Sequence, residues 1–315
     1  MTSTIRVTAL GLVAWFGLSA SPALACLSCG GNGSGVSADL GAVGGASSLF
    51  SMDQRWLFQE GVSFRSVTGS FNELGIWNPV PVGGSLNTVQ ASLGVSYFPN
   101  VDTSLSVQLP FVANALEKAS WGPWGSISAT DIPRTTGTSL GDATIQGTYK
   151  FYETGDLAFA AWAGANLPSG QAAGDPAGLS GTGVVSGQGG LIALTHVGNF
   201  EFSGNLGYQR PFSNPTAAGA TFFTGESWLY QVQSNYRLND WWRFGLGLNG
   251  FVGSGRLATS DAVVSTSKIK LIPSAQFAWN ADQGIRIAGG YDPASLGANT
   301  MTDFTIYTII YQYMQ

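Results

Sequence analysis

Cys26 and Cys29, the only cysteines among 315 residues, form a Cys-Leu-Ser-Cys motif that is the chain's most pointed chemical feature. Two thiols at this spacing can close a disulfide in an oxidising compartment, cycle between dithiol and disulfide, or hold a soft metal ion such as Cu(I) as thiolates. A c-type haem would want His directly after the second cysteine, and Gly30 stands there. Zinc would require two further ligands, and the sole histidine, His196, lies far along the chain. Acylation of Cys26 is another alternative, although Ala23 occupies the position where a leucine-like residue normally precedes a lipidated cysteine. Structural disulfide, metal or redox pair, and lipid anchor all stay open for these two residues.

A second set of residues acts through charge. Asp142, Lys150, Glu201, Arg243, Lys268, Lys270, Arg286 and Asp292 fall on the polar sides of alternating segments. If those sides share one interior, it is slightly basic although the whole chain is acidic, which would bias what enters it. The plainer role is internal pairing of the charges. Gly245, Gly247 and Gly250 spell the dinucleotide fingerprint, but the run continues through Phe251-Val252 as a strand with no helix opening, so curvature or interior space explains the glycines better.

The elements that must position these residues follow from composition. Only 10% of residues are charged, where a soluble domain carries about 25%. Glycine contributes 44 residues and aromatics 12%, a profile that disfavours disorder and coiled coil. Glycine shows no three-residue repeat, which excludes collagen, and 13 basic against 18 acidic residues leave no basic surface for nucleic acid. Residues 1–25 carry Arg6 as their only charge, an apolar run from Val7 to Ala20, and the small-x-small sequence Ala23-Leu24-Ala25, which together read as a secretory signal peptide. Its removal leaves 12 basic against 18 acidic residues, a net charge of −6. Residues 26–52 are Gly/Ser/Ala-rich with little periodicity and read as a tether for the cysteines or a plug. No later apolar stretch approaches the ~20 residues of a membrane helix. A secreted chain with membrane-like composition and no membrane helix points to a closed barrel, the other structure that satisfies every backbone polar group in lipid.

Residues 53–315 carry the barrel pattern. Period-two alternation marks twelve segments, at 53–67, 84–98, 102–114, 139–152, 156–168, 183–196, 199–210, 226–237, 241–253, 266–279, 283–293 and 302–314. Ala143, Ile145, Gly147, Tyr149 and Phe151 oppose Asp142, Thr144, Gln146, Thr148 and Lys150, so one face suits lipid and the other water. Short connections alternate with long ones at 68–83, 115–138, 169–182, 211–225, 254–265 and 294–301, as periplasmic turns and external loops do in outer-membrane barrels. An even strand number puts both termini at the short-turn side. Aromatics gather beside the short turns, among them Tyr97-Phe98, Phe151-Tyr152, Trp241-Trp242 and Trp279, where an interfacial girdle belongs. Glu60 shares a face with Trp56, Phe58 and Phe64, so a bulge or a change of face is expected there.

Tyr97-Phe98-Pro99-Asn100-Val101-Asp102 leading to Leu109-Pro110-Phe111, and Ser139-Leu140-Gly141-Asp142-Ala143-Thr144 running to Tyr149-Lys150-Phe151, resemble outer-membrane barrels of the MetA-type phenol-degradation family. Asn166-Leu167-Pro168-Ser169-Gly170 and Asn205-Leu206-Gly207-Tyr208 fit the same pattern, in order across residues 84–290. The resemblance implies a channel-like role for small hydrophobic or aromatic compounds and supplies no catalytic residues.

The expected fold is therefore all-β, a transmembrane antiparallel up-and-down β-barrel of about twelve strands in a Gram-negative outer membrane, with its N-terminus periplasmic. Passive passage of small, aromatic or hydrophobic solutes is the first functional expectation. The alternative is a barrel-anchored periplasmic accessory that binds metal or accepts electrons through Cys26 and Cys29 and meets a periplasmic partner. An enzyme is not expected, because His196 falls at a short turn and Asp142, Glu201 and Asp292 lie on separate strands with basic neighbours.

Overall fold

In the computed structural model, residues 55–314 are described, apart from 73, 122–126, 130–132, 171–183, 213–221, 258–262, 281, 294–296 and 299. The signal segment, Cys26, Cys29 and the stretch 26–52 lie outside the described residues. The alternating segments form twelve long strands: β1 (Arg55–Phe71), β2 (Ser85–Asn100), β3 (Thr103–Glu117), β4 (Ala143–Thr154), β5 (Leu157–Leu167), β6 (Ser186–Val197), β7 (Phe200–Pro211), β8 (Phe222–Arg237), β9 (Trp242–Leu257), β10 (Val263–Asn280), β11 (Gln283–Tyr291) and β12 (Thr300–Met314). Each pairs antiparallel with the next, and β1 pairs with β12 from Trp56↔Met314 to Phe71↔Thr300, so the sheet closes on itself. Closure removes the free edges that lipid cannot solvate. The shortest barrel strand, β11, has 9 residues, enough to cross a hydrocarbon core when tilted, which takes about 9–11 residues.

Alternation decides which side chains face out. On β1, Trp56, Phe58, Val62 and Phe64 are exposed, while Leu57 and Ser63 between them are buried. On β4, Ile145, Tyr149 and Phe151 are exposed and Thr148 and Lys150 buried. Large apolar groups outside and polar groups inside reverse the order of a soluble domain, as a barrel bathed in lipid requires.

Two-residue hairpin turns at Gly155-Asp156 and Gly198-Asn199 place their glycines at φ 52° and 60°, the left-handed region that tight hairpins demand. Beside the short turns the outward aromatics touch one another: Trp56 meets Tyr97, Phe159 meets Tyr152, Phe200 meets Tyr236, and Phe277 meets Trp242, with centroids 4.6 to 5.8 Å apart. They form a girdle at this end.

The structure departs from the sequence expectation at three places. Glu60 pairs in register with both Leu93 and Ile310 and stays on the outer face; the slip in β1 falls later, between Val67 and Gly69. The stretches 68–83 and 115–138 are not wholly loop. Trp77–Pro79 folds back on β1, Ala119–Trp121 pairs with Ile127–Ala129, and Thr135–Leu140 continues the ladder on β3. At its upper end β1 outruns β2, and β3 outruns β4, and Trp77–Pro79 and Thr135–Leu140 satisfy the backbone groups left on those sides. His196 is the penultimate residue of β6 rather than part of a turn.

Candidate functional site

The inner wall near the long-loop end carries a cluster of buried charge. By alternation, Arg65 of β1, Lys268 and Lys270 of β10, and Asp303 of β12 point inward, and Asp292 follows the last residue of β11. Lys268 Nζ lies 2.6 Å from Asp303 Oδ2 and 2.7 Å from Asp292 Oδ2. Lys270 Nζ lies 2.6 Å from Asp303 Oδ1 and donates to Thr305 Oγ1 at 3.1 Å. Arg65 closes the group with an ion pair to Asp303. Thr305 Oγ1 donates to Asp303 Oδ1, and the Asp303 N–H donates to Asp292 Oδ2, both at 2.6 Å. Three cations against two carboxylates leave the cluster with one net positive charge. Dense mutual pairing is what makes burial of so many ions tolerable.

Lys268, Lys270 and Asp292 are among the sequence-derived candidates; Arg65 and Asp303 are not. Both sit at inward positions, Arg65 in series with Leu57, Gly61 and Ser63, and Asp303 in series with Thr305, Tyr307 and Ile309. That parity was a usable signal.

The remaining candidates do not join the cluster. Lys150 points inward at the short-turn end and pairs with Asp102 at 3.2 Å and Glu153 at 2.5 Å, rather than with Asp142 of its own segment. Glu201 lies 3.3 Å from His196 Nε2 and accepts from Asn235 Nδ2 at 3.0 Å. Asp142 sits in the break between Thr135–Leu140 and β4, where its Oδ1 accepts the Gly170 N–H at 3.0 Å. Ser169 bridges the same break, accepting from the Ala143 N–H and donating to the Gly141 carbonyl. Arg286 donates to Ser274 Oγ at 3.0 Å. Arg243 stands inward on β9, in register with Gln276.

Below the charged cluster the same wall becomes apolar. Ile272, Ala288, Tyr307 and Ile309, from β10, β11 and β12, pack together and are at most 5% exposed. Across the barrel, Trp162 of β5 lies along the wall over Gly190 and Gly207 and donates its Nε1–H to Asn205 Oδ1 at 2.9 Å. A Cβ at Gly207 would come within 2.7 Å of the indole, so the glycine makes room for the ring. Toward the short-turn end, Leu57 and Phe98 are buried together, with Ile192 and Tyr311 packed against them.

Comparison with known proteins agrees with this architecture. An outer membrane channel from Pseudomonas putida F1 superposes with a TM-score of 0.68 at 12% identity, covering 85% of this chain and 99% of that one. The translocator domain of the autotransporter NalP from Neisseria meningitidis reaches 0.45 at 10% identity over 91% of this chain and 99% of that one. A deletion mutant of TodX, a monoaromatic hydrocarbon channel, also reaches 0.45 at 10% identity, over 85% and 92%. No curated protein matches the sequence. The first superposition shows the outer-membrane barrel fold. The family model for the MetA-pathway of phenol degradation matches residues 39–301, spanning β1 through β11 and the start of β12, and the chain belongs to that family.

Proposed function

We propose that this barrel is a passive outer-membrane channel for small uncharged solutes of apolar or aromatic character, with its short-turn end facing the periplasm. The observation that carries the reading is the apolar stretch of inner wall formed by Ile272, Ala288, Tyr307 and Ile309 below the charged cluster. These side chains are packed against one another and at most 5% exposed, so a solute in contact with them must exchange one apolar contact for another, which costs an aromatic ring little and an ion its hydration. The pairing of Arg65, Lys268 and Lys270 with Asp292 and Asp303 reduces five charges to one net positive, a weak field for drawing in charged solutes. Membership of a phenol-degradation family supports the same solute class.

The test is solute flux into vesicles whose outer leaflet is lipopolysaccharide, which slows apolar compounds that ordinary phospholipid would pass. With the purified barrel inserted, an uncharged methylphenol should enter faster than in protein-free vesicles, and glucose should show a smaller gain. Equal methylphenol entry with and without protein would sink the reading.

A further inference from the structure

We infer that Leu57, Phe98, Ile192 and Tyr311 form an apolar gate across the lumen that bars hydrated ions and admits solutes able to replace its contacts. The inference deepens the channel reading above and rests on it. Leu57 and Phe98 stand on the neighbouring strands β1 and β2, and Tyr311 on β12, which pairs with β1. Ile192 stands on β6. Three strands, β3, β4 and β5, separate β2 from β6 along the wall, a path of about 19 Å at the usual strand spacing. No side chain spans that distance around the wall, so the packing of Ile192 against the Leu57–Phe98 pair runs through the interior.

Leu57 and Phe98 keep only 2% and 3% of their surface exposed, so the contact is closed. Its position near the ends of β1, β2 and β12 places it in the short-turn half, well below the charged cluster. Tyr311 adds a ring whose hydroxyl accepts from Gln276 Nε2 at 2.8 Å. That hydrogen bond holds the phenol to the wall beside Gly284, where a Cβ would meet the ring at 2.6 Å. The four groups offer no charge to replace an ion's hydration shell, and an apolar constriction of this kind stops ions by dewetting. An uncharged aromatic solute loses little in the same place, since it exchanges one apolar contact for another. Parting Ile192 from Phe98 breaks no ladder hydrogen bond, because both are side chains of intact strands.

The experiment is single-channel recording in KCl with the full-length barrel, as wild type and as Phe98→Ser, Ile192→Ser and Ile192→Leu. Folding of each is checked by its unheated gel mobility. Either serine substitution should raise ionic conductance by about fivefold or more as the constriction wets, while Ile192→Leu keeps the wild-type value. Folded serine variants that conduct no more than wild type would overturn the gate. If Phe98→Ser fails to fold, Ile192→Ser tests the same contact from the opposite wall. Failure of the channel reading is distinct: methylphenol flux would then be absent from the wild type whatever the serine variants do to ion current.

Discussion

The charged cluster and the apolar contact face one interior but are built in opposite ways. Arg65, Lys268, Lys270, Asp292 and Asp303 come from neighbouring parts of the wall, at β10, the end of β11, β12 and β1. Leu57 and Phe98 stand on paired strands, but Ile192, which packs against them, comes from β6, a wall that pairs with neither. Ion pairs need fixed, short, mutually satisfying geometry, and a few consecutive strands of one wall, β10 through β12 and β1, supply it. Apolar contact has no direction and can open and close without leaving an unsatisfied group behind. Charge therefore suits the seam where the first and last strands meet, and apolar packing suits the place where something must pass.

The sharpest way to break this division is Asp303→Ala. Asp303 is contacted by Arg65, Lys268 and Lys270, so its loss strands buried cations and should cost about 3–5 kcal/mol of folded stability. Urea unfolding in detergent, read by the heat-sensitive gel mobility of the barrel, measures it. Ion conductance of the molecules that stay folded should remain low. A variant as stable as wild type would show that the cluster does not hold the seam; a stable variant with raised conductance would move the gate to the wrong end of the barrel.

A smaller effect sharpens the apolar side. Tyr311→Phe removes the hydroxyl that accepts from Gln276 and keeps the ring, so stability should fall by only about 0.5–1.5 kcal/mol. Conductance should stay at the wild-type level, since the apolar surface is unchanged. A rise in ion current equal to that of Phe98→Ser would mean that the hydroxyl, and not the ring, sets the barrier.

How much of this was legible beforehand depends on the range of the interaction. Strand identity, the inward and outward faces, and the alternation of short and long connections are local properties with a period of two, and the sequence shows them directly. Lys268 and Lys270 are visible because they alternate with Ile269 and Leu271 inside one segment. Their partners are harder to find: Arg65 meets Asp303 only because β1 closes on β12 across nearly the whole chain. Nothing local announces that pairing. Leu57 and Ile192 are apolar residues at inward positions, an anomaly of parity that can be read off each strand, whereas Phe98, read in the sequence as part of the aromatic girdle with Tyr97, turns inward and is buried. That Ile192 reaches Phe98 depends on the cross-section of the barrel, which no single strand encodes. Glu60 failed for the converse reason. Its charge on an apolar face looked like a fault in register, whereas the ladder keeps its register and tolerates the charge.

That residue sets up the mildest test, on a charge left outside the division. Inside the barrel each carboxylate of the cluster lies against ammonium groups. Outside, Glu60 is exposed between Leu93 and Ile310 of the flanking strands, and no ion pair holds it among the described residues. A charge on the lipid face costs most at the bilayer midplane and little near the interface, and carboxylates cost less than basic groups. Glu60 is the sixth residue of the 17-residue β1, counted from the short-turn end, which places it between those limits. Glu60→Leu should therefore stabilise the barrel by under about 1 kcal/mol, seen as a slightly higher urea midpoint, and leave conductance and methylphenol flux untouched. A loss of stability would show that the carboxylate is satisfied by a group outside the barrel wall. A change in flux would carry selectivity to the outer surface and end the separation of seam from gate.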